Sequence, residues 1–117
     1  MKAAEKKCDK LLQMVVMARD IFCRGRLCAK PSVAAHHLFG RKNKATRYNP
    51  ECSWGLCLEC HQQAHLKPRE FQDLLRAKIG EDRYTHLAFL SSDVVRLRDK
   101  DFREIAEQLR KQLEGTE

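Results

Sequence analysis

The chain has 117 residues, a formal net charge of +7 and a pI near 9.3, with 6 cysteines and 5 histidines. That length suits a single domain with a modest core, and no stretch approaches the ~20 apolar residues of a membrane span, so no membrane partner is expected. The apolar run at residues 11–18 is broken by Gln13 and followed at once by Arg19 and Asp20. It does not read as an export signal, and the expected setting is a reducing cytosol, where cysteine pairs bind metal more often than they form disulfides. The charge is uneven: residues 1–50 carry 12 Lys/Arg against 3 Asp/Glu, and residues 51–117 carry 11 against 13. A basic front half fits a polyanionic partner, although a solvated surface has the same composition.

Residues 4–22 read as a helix, with Leu11, Leu12, Val15, Val16 and Phe22 near helical spacing and lysines on the other side. A tight basic turn follows at 23–28. Residues 32–39 are β-prone, residues 40–50 form a polar basic loop, and residues 52–56 read as a short return strand. A helix begins near Leu58 and carries His61 and His65, and Pro68 interrupts or restarts it. Further helices are expected over 69–79, stopped by Gly80, over 81–90, and over 99–113, where Phe102, Ile105, Ala106, Leu109 and Leu113 share one face. That face serves core packing or the seam of a homodimer equally well. The division is an N-terminal helix (1–22), a cysteine- and histidine-rich centre (23–67) and C-terminal helices (68–117), all in one domain.

The centre holds the chemistry. Cys23 and Cys28, with Cys57 and Cys60, have the spacing of two turns that close a four-thiolate structural zinc site. His61 and His65 are four apart on the expected helix, hence on one face and able to share an ion. The His36-His37 pair is the source of a third ligand. On a regular strand the two point to opposite faces, so one can ligate while the other is left for proton transfer. Three imidazoles with open positions make a hydrolytic metal site. Arg41, Lys42, Lys44 and Arg47 lie in the intervening loop and are expected to contact phosphate. The run Cys57-Leu58-Glu59-Cys60-His61 also matches a c-type haem attachment signature, which leaves Cys23, Cys28 and the His36-His37 pair without a use.

From Cys23 to His65 the chain resembles the HNH endonucleases, in particular the small phage-type members that carry a zinc ribbon. The resemblance implies an α+β fold: a ββα-metal (His-Me finger) core with a zinc ribbon, flanked by N- and C-terminal helices. It implies a structural Zn2+ on the four cysteines and one catalytic divalent ion (Mg2+, Mn2+, Ni2+ or Zn2+) on His36, His61 and His65. It places His37 as general base and implies hydrolysis of DNA to 5′-phosphate and 3′-hydroxyl ends. The family's middle Asn lies about five residues before the C-x2-C, where this chain has Cys52. Asn49, three residues earlier, is the candidate for its role of bracing the loop and orienting the base. The alternative of another class is a zinc-ribbon module that binds nucleic acid without cutting it.

Overall fold

The computed structural model describes residues 2–25 and 28–115. Arg26 and Leu27 of the expected basic turn lie outside the described residues. The described residues form an α+β fold of six α-helices, one 3-10 turn and a two-stranded antiparallel sheet. The order is α1 (Ala3–Arg19), β1 (Ala34–His37), α2 (Lys44–Arg47), the 3-10 turn Pro50–Cys52, β2 (Ser53–Leu56), α3 (Leu58–Leu66), α4 (Pro68–Ile79), α5 (Glu81–Ser91) and α6 (Asp99–Glu114). Among the described residues no helix is long and apolar enough to cross a membrane.

Helix α1 ends three residues before the expected boundary. The Asp20 amide still donates to the Val16 carbonyl at 2.8 Å, while its carboxylate turns away to accept from the Gly55 amide of β2 at 2.9 Å. The chain beyond is extended, with Phe22 bridged to Pro31 and the Ser32 amide donating to the Ile21 carbonyl. The first strand is shorter than the β-prone stretch for a related reason. At its start the Ser32 amide turns to Ile21, whereas Val33 and Leu38 flank the strand and still donate to Leu56 and Cys52. Within the ladder the register sets His36 opposite Trp54 and His37 opposite Ser53. The basic loop is not wholly irregular, since α2 makes one helical turn in it.

Pro68 restarts the helix as expected, with Lys67 closing α3 and opening α4. Gly80 separates α4 from α5 at φ 89°, a region open to glycine and strained for other residues. Two packing zones result. Leu38, Trp54, Leu56, Ala64, Phe71 and Leu75 join the sheet to α3 and α4. Leu12, Val15, Val16 and Leu109, with Cys8, Tyr48, Phe102 and Ala106, join α1 to α6. The apolar face of α6 is therefore covered within the chain, and the Cys8 thiol is a packed group donating to the Phe102 carbonyl at 3.3 Å.

The joint between the zones is Asp20, a buried carboxylate. Arg19 grips it through Nε at 2.8 Å and through its terminal nitrogen at 2.7 Å, and that arginine also donates to the Ser53 carbonyl. Gly55 has to be glycine here, because a Cβ would sit 2.8 Å from the Asp20 Cβ. Asp20→Ala leaves the Gly55 amide unsatisfied and Arg19 unpaired. We expect a loss of about 2 kcal/mol or more in urea denaturation at fixed zinc concentration; an unchanged midpoint contradicts this role.

Candidate metal centres and the imidazole cleft

The four cysteines of the two spaced pairs converge. Their sulfur atoms all lie within 4.8 Å of one another, with Cys28 Sγ 3.9 Å from Cys57 Sγ and 3.8 Å from Cys60 Sγ. A tetrahedron with Zn–S bonds of ~2.3 Å has edges of roughly 3.8 Å, whereas a disulfide requires ~2.05 Å. The set thus fits a four-coordinate metal ion such as zinc.

Local backbone prepares these sulfurs. Cys57 caps the N-terminus of α3 and accepts from the Cys60 amide at 3.4 Å, and Cys23 accepts from the Gly25 amide at 3.3 Å. A side chain at Gly25 would place its Cβ 3.0 Å from Cys60 Sγ, so the turn approaches the thiols only as glycine. A backbone hydrogen bond at Lys30 is the main reason the Cys28 thiol is lowered to about 7, while burial pushes Cys23 up. The Cys57 and Cys60 sulfurs face Cys28 instead of standing free for thioether bonds, which removes the support for a haem.

One residue past Cys60, a second set begins. His61 and His65, one turn apart on α3, bring their Nε2 atoms to 3.1 Å, and His36 approaches from β1 with ring centroids 5.3 and 5.0 Å from theirs. The ligand atoms of the three lie within 4.8 Å of one another. Ligands sharing an ion at ~2.0–2.1 Å stand roughly 3.0–3.4 Å apart, so the His61–His65 pair is already at a coordination edge. His36 is buried, with Phe71 edge-on at 4.9 Å. Burial first, then His61, His65 and His37, hold its pKa down at about 4. Burial also lowers His61, with His65 adding to it. Neutral imidazoles present lone pairs, the form that ligates.

His37 closes β1 and borders the same cleft of about 880 Å³ as the other three histidines. Its Nε2 is buried and has no hydrogen-bond partner in the protein, so its hydrogen bond with the Arg47 backbone falls to Nδ1. Burial lowers its pKa; Arg47 and Arg41 act in the same direction, Asp9 and the Arg47 backbone in the opposite one. The ring is held at one nitrogen, and the other is buried in the cleft wall without a partner. His86 is exposed on α5.

Two expected site residues are engaged elsewhere in the fold. Asn49 does not line the imidazole cleft. Its Oδ1 accepts from the Glu51 amide at 3.0 Å and so caps the 3-10 turn, which makes it a brace for the return strand. Cys52, at the family's Asn position, is buried, with its thiol pushed up to about 11 by burial. Arg47 is not a free cation either: its side chain is 10% exposed and grips Asp9 through two nitrogens, at 3.1 and 2.7 Å. Of the other basic residues, Arg41 borders the cleft and also pairs with Asp9, while Lys42 and Lys44 are exposed. Asp9 and Asp20 escaped the sequence reading because neither belongs to a spaced motif. A short acid on the polar side of a helix reads as solvated.

Comparison with protein-family models, with curated proteins and with solved structures finds no match to the chain.

Purified protein is expected to retain about one tightly held zinc ion per chain on the thiolates. Cys57→Ser or Cys60→Ser should lose it and fold poorly, and Gly25→Ala should release it at lower chelator concentration. Elemental analysis without zinc, together with circular dichroism unmoved by chelation, contradicts the assignment.

Proposed function

We propose that the chain is a metal-dependent DNA endonuclease of the HNH type, with a ββα-metal core formed by β1, β2 and α3. One observation carries the reading: three imidazoles converge on a single point while a fourth, His37, borders the same cleft with its Nε2 uncommitted. A zinc-binding module without activity has use for the thiols and the basic loop, but none for that convergence.

In this reading His36, His61 and His65 hold one divalent ion, which when bound supplies positive charge for a phosphate oxygen and for the leaving oxygen. His37 does the proton chemistry. Its Nδ1, held at the Arg47 backbone, leaves the Nε2 lone pair to take a proton from the attacking water. Water adds to phosphorus, the bond to the 3′ oxygen breaks, and the ends are 5′-phosphate and 3′-hydroxyl. Phe71 stands edge-on to His36, and the burial of that ring holds its pKa down. The zinc on the cysteines takes no part in the reaction.

His37→Ala is expected to keep metal and DNA binding and to lose cleavage by roughly 10²–10⁴-fold, the usual worth of a positioned general base. His36→Ala should instead weaken the ion and be partly rescued by more of it. Plasmid cleavage across a metal titration separates the two; metal rescue of His37→Ala contradicts the assignment. If wild type folds but cuts nothing at any ion concentration, the binding-module reading takes over.

Lys42 and Lys44 are exposed cations of the loop, as is Arg41, which pairs with Asp9. Lys42→Glu with Lys44→Glu should lower DNA affinity and reduce the salt slope by about two, near one per lost phosphate contact. An unchanged slope assigns the pair to solvent.

A further inference from the structure

Asp9 lies on α1, outside the motif from which the nuclease reading is drawn, yet it borders the cleft beside His37. Its carboxylate receives Arg47 Nε at 3.1 Å, the Arg47 terminal nitrogen at 2.7 Å and the Arg41 terminal nitrogen at 3.0 Å. Both partners belong to the loop between the strands, and the Arg47 backbone is what holds the His37 ring. The loop has little to fix it from within. Helix α2 is a single turn without a side-chain cap, since the Asn43 side chain donates to the Phe39 carbonyl instead. Tyr48, packed in the α1–α6 zone, anchors one end. Asp9 anchors the residue whose carbonyl matters. A sheltered two-point arginine–carboxylate pair holds geometry in a way that an exposed ion pair does not.

Resting on the nuclease reading, we propose that Asp9 is a positioning residue for His37: it clamps Arg47 against α1, so that the Arg47 carbonyl fixes one ring nitrogen and Nε2 stays aimed at the reacting water. The clamp also explains a cost. A carboxylate beside a DNA-binding cleft repels phosphate, and a residue kept there for binding alone would be a base.

That cost makes the test specific. In zinc-loaded protein, Asp9→Asn should cut more slowly at saturating DNA, by roughly 10–100-fold, because a small misplacement of a reacting group is worth that much. Its affinity for DNA should be equal or tighter. Arg47→Gln keeps the backbone carbonyl, removes the same clamp and should show the same loss of rate; it stands in if Asp9→Asn fails to fold. Imidazole nitrogen NMR provides a readout independent of cleavage: His37 should be a fixed Nδ1–H tautomer in wild type and an averaged ring in the variants. Wild-type rate and a fixed tautomer in the folded variants overturn the proposal, and so does weaker binding at an unchanged rate. A wild type that never cuts, but whose His37 tautomer is released by Asp9→Asn, sinks the nuclease reading and leaves the clamp standing.

Discussion

The rest of the molecule depends on the four-sulfur cluster at the start of α3. Cys57 is the cap of that helix and Cys60 lies in its first turn, so whatever holds the sulfurs together also holds the helix axis. His61 follows directly and His65 comes one turn later, which means that the imidazole set inherits its position from the thiol set. Among the described residues the sheet beside the cleft has two strands of four residues each. A sheet of that size is not stable alone. A metal ion shared by Cys23, Cys28, Cys57 and Cys60 would cross-link the approach to β1 with the helix and add rigidity that the small core does not supply.

A second, purely protein joint complements it. Asp20 and Arg19 tie the end of α1 to β2, and Asp9 ties the body of α1 to the inter-strand loop. Helix α1 is therefore a spine against which both halves of the cleft are set, and α6 packs along it to complete the burial. Charge is arranged in the same economical way. Burial lowers the pKa of His36, His37 and His61, whereas the exposed cations stand on the loop between the strands.

Much of this was legible in the sequence, because it is local. The spacing Cys57-x-x-Cys60-His61 with His65 four residues on is a helix-face pattern, and both metal sets and the helices after Pro68 could be read from it and from apolar periodicity. What could not be read depends on contacts across long stretches of chain. Arg47 reads as a free cation beside Lys44, and only a carboxylate 38 residues away makes it a clamp. Asn49 reads as the missing family residue, but its neighbour Pro50 starts a 3-10 turn that the side chain caps. The end of α1 was misplaced because Asp20, a tolerable helix residue, is drawn out by the Gly55 amide.

The proposed hydrolysis of the DNA backbone is read from the chemistry of its product ends. Supercoiled plasmid treated with the zinc-loaded protein and Mg2+, Mn2+, Ni2+ or added Zn2+ should relax or linearise, and DNA ligase should reseal the breaks without prior end repair. Plasmid left intact with all four ions, or breaks that ligase cannot seal, would contradict the account.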